Sequence, residues 1–196
     1  TTGRIGASGK TAGGTVSVAA TDDAIILGQI DASSANGMGG TIVVTGTEVV
    51  VGPTALLNAS GGTDGGNIFL GGDYQGNDPG LKNSQNTTVA AGAVLRADGV
   101  SGDGGTVVVW SDGRTDFAGS ASARSEGQVG RGGLVEVSGR QELAFSGLVN
   151  TEASSGQDGI LLLDPENVFI GAGGLEIANL VAALATSNVI VHTSPV

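Results

Sequence analysis

The chain has 196 residues, with 37 Gly, 4 Pro, no Cys, and 8 Lys and Arg against 19 Asp and Glu, for a net charge of −11. With no cluster of cations, a nucleic-acid partner is excluded, and without Cys so are a disulfide scaffold and thiolate-bound zinc. Aromatic residues are only 3%, so a core must be built from Val, Ile, Leu and Ala, and no apolar run approaches the ~20 residues of a membrane-spanning helix.

In chain order, a Gly pair followed by a short apolar strand recurs. The copies begin at Gly13-Gly14-Thr15-Val16, Gly39-Gly40-Thr41-Ile42, Gly65-Gly66-Asn67-Ile68, Gly104-Gly105-Thr106-Val107, Gly132-Gly133-Leu134-Val135 and, degenerate, Asp158-Gly159-Ile160-Leu161. Their spacings are 26, 26, 39, 28 and 26 residues, the long one holding a 13-residue excess around 74–86. Before each Gly pair stands a second short strand, centred on Ile5, Ile30, Leu57, Leu95, Ala121 and Val149. Between the two lies a third, at 25–27, 49–51, 87–89, 115–117 and 143–145.

Fixed-period self-similarity is the signature of a stacked repeat. In the first strand two columns are aliphatic in every copy: Val16, Ile42, Ile68, Val107, Val135, Leu161, and Val18, Val44, Leu70, Val109, Val137, Leu163. Alternation along a strand puts both on one face. One copy cannot bury that face, but stacked copies do. Three strands per coil of about 26 residues predict an all-β fold, a right-handed parallel β-helix forming one segment over 1–196. An antiparallel sandwich is the weaker alternative, since it does not require motifs in phase. The outward column Asp31, Asn58, Arg96, Ser122, Asn150 places no like charges on adjacent rungs, as such a stack requires. The chain opens inside a repeat and reads as an internal piece of a longer protein.

The end departs from the pattern. Asp164-Pro165 closes the sixth first-strand, because Pro cannot donate to a ladder. Leu175, Ile177, Leu180, Val181 and Leu184 have helical spacing, predicting one short helix over 174–186 against a flank of the shaft. Asn188 to His192 returns to strand.

The runs Gly71-Gly72-Asp73-Tyr74-Gln75-Gly76, Gly104-Gly105-Thr106-Val107-Val108-Val109-Trp110-Ser111, Gly133-Leu134-Val135-Glu136-Val137-Ser138-Gly139 and Leu161-Leu162-Leu163-Asp164-Pro165 resemble the filamentous-haemagglutinin-like large exoproteins over about residues 25–193. The resemblance implies a secreted protein of the bacterial outer surface. It implies export by two-partner secretion, the partner being an outer-membrane transporter that recognises an N-terminal secretion domain. The Asn-rich motifs of that domain are not in this chain, so the docking site for the exporter is expected elsewhere. Family members act as adhesins, in aggregation or biofilm, or as stalks for toxins.

Candidate chemistry is sparse. Asp112, Arg114 and Asp116 share a turn, as in pectinolytic β-helix enzymes, but read better as a solvated corner with an ion pair, because no second coil supplies matching acids. Asp73, Asn77 and Asp78 offer oxygen ligands for calcium, but their spacing fits no EF-hand or nonapeptide roll. They read as a polar loop, and Asp64, Asp98 and Asp103 as turn residues. His192 is the sole histidine, near the end of the chain, and reads as a residue without a catalytic role. No catalytic, cofactor or metal site is expected, and the chain is expected not to be an enzyme.

The leading function is thus a structural or adhesive shaft; the alternative is a polysaccharide-active or carbohydrate-binding module. Val43, Phe69 and Val108 turn the outward column apolar on three successive rungs. With Trp110 and Tyr74 they form the candidate contact surface, for a host or bacterial surface or for end-to-end or lateral self-association. The alternative is that the insertion 71–86, through Tyr74 and Leu81, folds back and shields that stripe.

Overall fold

A computed structural model describes residues 3–193. Strand β1 (Arg4–Gly6) precedes a first full coil of β2 (Thr15–Ala19), β3 (Asp23–Ile26) and β4 (Gln29–Asp31). The next coil is β5 (Thr41–Thr45), β6 (Glu48–Val51) and β7 (Leu56–Asn58). The third is β8 (Asn67–Leu70), β9 (Asn86–Val89) and β10 (Val94–Arg96), with one 3-10 turn at Tyr74–Gly76 between the first two. The fourth is β11 (Thr106–Ser111), β12 (Arg114–Phe117) and β13 (Ser120–Ser122). The fifth is β14 (Leu134–Gly139), β15 (Glu142–Phe145) and β16 (Leu148–Asn150). Then come β17 (Ile160–Leu163), helix α1 (Ile177–Ala183) and β18 (Asn188–Val191).

Each strand pairs in parallel with its equivalent one coil away, so three sheets run along one shaft: β2-β5-β8-β11-β14-β17-β18, β3-β6-β9-β12-β15 and β1-β4-β7-β10-β13-β16. The fold is an all-β parallel β-solenoid. With seven strands in the longest sheet and ~4.8 Å between neighbours, the shaft is roughly 30 Å long. The ladder places Val16, Ile42, Ile68, Val107, Val135, Leu161 and Val189 directly above one another. That is the expected stack with one further rung, Val189. From Ile42 to Leu161 its members are completely buried.

The first strand of the five-stranded sheet begins two residues before the apolar run at 25–27. Ala24 pairs with Val49 and Ile26 with Val51, so Ile25 and Leu27 face outward and are exposed. Further along, the inward positions admit Thr87 and Thr115. Their hydroxyls donate to the carbonyls of Trp110 (2.7 Å) and Ser138 (2.9 Å), which satisfies them inside the core.

The second Gly of each pair lines a corner where coils touch backbone to backbone. A Cβ on Gly66 would collide with the Gly40 carbonyl, and one on Gly105 with that of Gly66. Only Gly permits that approach.

Helix α1 is not a flank cover. The five- and six-stranded sheets end at β15 and β16, and α1 packs on β16. The Thr151 amide donates to the Thr186 carbonyl at 3.1 Å. Leu175 and Ala183 are buried and Leu180 partly so, whereas Ile177, Val181 and Leu184 are exposed. The helix therefore takes the place of a third strand and closes the fifth coil from above.

Candidate functional site

Segment 71–86 leaves β8 and lies over the outer face of the seven-stranded sheet, reaching toward later coils. Gly71, Gly72 and Gly76 take positive φ angles of 71°, 151° and 62°. Gly72 and Gly76 bring the backbone against the indole of Trp110. A Cβ on Gly72 would stand 2.7 Å from Trp110 Cδ1, and one on Gly76 2.5 Å from Trp110 Nε1. Asp112 ties the two layers together. Its Oδ1 accepts from Trp110 Nε1 (3.3 Å) and from Asn83 Nδ2 (3.1 Å), and Asn83 also donates to the Gly76 carbonyl at 3.1 Å.

The tip of the segment is Gln75, a non-glycine residue in left-handed backbone (φ 56°, ψ 20°), a conformation that costs about 1–2 kcal/mol. That turn aims its amide N–H at both carboxyl oxygens of Glu136, at 3.2 and 3.1 Å. Its side-chain amide donates to Asp164 Oδ2 at 2.9 Å. Asp164 in turn lies 3.3 Å from His192 Nδ1, and its own backbone N–H donates to Ser138 Oγ at 3.2 Å. The insertion is therefore a strap that starts on the third coil and is fastened to the fourth, fifth and sixth.

Glu136 lies in the outward column with Val43, Phe69 and Val108, yet it is completely buried. Burial pushes its carboxyl up to about 7, and the nearby Asp164 and Asp73 carboxylates act the same way, against the Gln75 N–H and the Ser138 hydroxyl.

Elsewhere the acids are engaged in structure. Arg114 holds Asp116 through Nε (2.9 and 3.0 Å) and Nη2 (2.6 Å), and reaches Glu142 on the next rung at 2.8 Å. These two carboxylates raise the pKa of the guanidinium, with burial opposing. Asp64 Oδ1 accepts from the Asp103 amide (2.9 Å) and Asp103 Oδ1 from that of Arg131 (2.7 Å), so these turn carboxylates pin consecutive coils. Asp98 accepts from the Arg124 amide and guanidinium and from Ser122. In the strap, Asp73 Oδ1 accepts from the Asp78 amide and Asp78 Oδ1 from that of Gly80, while Asn77 ends the 3-10 turn. Among the described residues no group of three or more His, Asp or Glu is placed to hold a metal ion.

No family model matches the chain, and no curated protein does. Among solved structures, the HMW1 secretion domain from Haemophilus influenzae superposes with a TM-score of 0.70 at 26% identity, over 83% of this chain and 43% of that one. The chain resembles a two-partner secretion exoprotein. It spans less than half the length of the solved chain it matches. The motif-based resemblance and the structural match thus agree on the kind of protein. They differ on position: the sequence reading set the secretion domain outside this chain, whereas the matched structure is itself a secretion domain.

The structure redistributes the expected site residues. Val108 is completely buried and Trp110 is 5% exposed, so neither offers a contact surface while the strap is docked. Val43 and Phe69 are half-buried, and Tyr74 is 44% exposed. The contact differs from the expected one: on the fourth coil the strap lays Gly72 and Gly76 against the Trp110 indole, while Tyr74 stays 44% exposed. His192 is drawn to Asp164 rather than left at a loose end. At the Arg114 corner the next coil does supply an acid, Glu142. Sequence reasoning missed Glu136. The available signal was an acid in a column whose preceding three rungs are Val43, Phe69 and Val108, downstream of an insertion able to reach it.

Proposed function

We propose that this chain is a non-catalytic, right-handed β-helical shaft segment of a secreted bacterial exoprotein, with a structural and adhesive role at the cell surface. The observation that carries the reading is the unbroken parallel shaft of three sheets together with its 0.70 TM-score to a secretion domain. The match supports export through an outer-membrane two-partner transporter. The corner acids Asp116 and Glu142 are ion-paired to Arg114, a structural use of these carboxylates that fits the shaft reading.

A single assay separates the readings. Beads coated with the purified chain are presented to bacterial and epithelial cell surfaces, and the soluble chain is incubated with uronic-acid and neutral polysaccharides while new reducing ends are counted. Adhesion above that of albumin-coated beads, without new reducing ends, is the expected result. Release of reducing ends that is lost in Arg114→Ala would replace the shaft reading with an enzymatic one.

A further inference from the structure

The strap is anchored on an unusual group. Glu136 is a buried carboxyl whose charged neighbours are both acids: Asp164, from the segment after β17, and Asp73, from the strap itself. The remaining polar groups against it are the Gln75 amide and the Ser138 hydroxyl, and its ladder neighbours are the aliphatic Val108 and Leu162. His192, after β18, faces Asp164. Beside burial, the two charged groups that raise the pKa of Glu136 are both carboxylates. A carboxylate enclosed with two others is disfavoured in its charged form by desolvation and by like-charge repulsion together.

The docked strap completes that enclosure, because Gln75 and Asp73 both belong to it. With the strap lifted, the outward-facing Glu136 side chain meets water. We propose that segment 71–86 is a proton-linked clasp: it lies closed over β11 and β14 while Glu136 carries a proton, and lifts when Glu136 ionises, uncovering Val108 and Trp110. The sign follows from linkage. The closed form raises the pKa of Glu136 from 4.5 to about 7, so closure takes up a proton. It is fully favoured below about 4.5 and loses that support as the pH rises through about 7. The left-handed backbone at Gln75 and the three positive-φ glycines within the strap fit a segment that is held down by specific contacts rather than by its own conformational preference.

The molecule carries its own reporter, since Trp110 is the only tryptophan and lies beneath the clasp. In the intact chain, Trp110 emission and its quenching by acrylamide are followed from pH 5 to 9, with far-ultraviolet circular dichroism as the control for the shaft. The expected result is a shift of emission to longer wavelength and a several-fold rise in quenching centred near neutral pH, with unchanged dichroism. Glu136→Gln, neutral at every pH, is expected to keep the low-pH spectrum throughout, whereas His192→Asn is expected to retain the transition. A flat wild-type profile overturns the proposal, and so does a transition that survives Glu136→Gln or vanishes in His192→Asn. Should Glu136→Gln fail to fold, hydrogen exchange in the wild-type chain decides. The protection factor of the Gln75 amide, corrected for intrinsic rate, falls through neutral pH while those of β11 and β14 stay constant; equal protection at pH 6 and 8 sinks the idea.

Discussion

Phe117 and Phe145 stack face to face on successive rungs, with ring centroids 5.7 Å apart and planes inclined by 7°. Both rings are buried and close the five-stranded sheet on its inner side. Phe117 and Phe145 are the largest by volume of the fully buried side chains among the described residues. Phe145→Ala is expected to cost about 3–5 kcal/mol. A double-mutant cycle with Phe117→Ala, read by chemical denaturation, should return a coupling of about 0.5–1.5 kcal/mol beyond area burial.

The vertical stack gives a sharper test of the core. Ile68 is completely buried between Ile42 and Val107. Ile68→Asp places an unpaired carboxylate there and should cost several kcal/mol. In a repeat array the loss is felt first in adjacent coils, so hydrogen exchange should accelerate in β5, β8 and β11 before β17. An unchanged melting temperature would contradict the burial of the column.

Replacing 73–83 by a short turn leaves the strap's base intact, because the Ser84 amide already donates to the Gly71 carbonyl at 2.7 Å. The coils should persist while Val108 and Trp110 become exposed beside Phe69. A contiguous apolar stripe of that kind favours association. Sedimentation velocity is expected to show self-association that the intact chain lacks at the same concentration and pH 6.

The corner ion pairs contribute little. Arg114 and its partners Asp116 and Glu142 are all substantially exposed, at 38%, 43% and 67%. Arg114→Ala should therefore cost no more than about 1 kcal/mol at low salt, falling toward zero as salt screens the pair. Denaturation at two ionic strengths checks this.

How much of this was legible beforehand depends on the range of the interaction. The stack through Val16, Ile42 and Ile68 could be read because coil equivalents recur in phase, and Trp110 could be placed on the outward register. The start of the five-stranded sheet was placed at 25–27 rather than 23–26 because Ile25 and Leu27 are more apolar than Ala24, which faces inward. At the first coil no preceding rung pairs with β3 in this sheet, so polarity and position part company. The burial of Trp110 and Glu136 was out of reach for another reason. Gln75 meets Glu136 61 residues further along the chain and Asp164 89 residues further, so no repeat period brings them together. Helix α1 could be read from its spacing, but its role as a lid on the fifth coil depends on where β15 and β16 stop.

The strap also imposes an order of events. Almost every pairing in this shaft joins neighbouring coils, so a chain delivered from its N-terminal side can zip up one turn at a time as it arrives, each new coil laid on the last. Gln75 is an exception that reaches forward: by the time its own coil has formed, neither of its anchors has yet been delivered. During that interval Phe69 stands at the growing front and the strap is still unlatched. Latching at Asp164 is then a checkpoint, reached only when three further coils are in register.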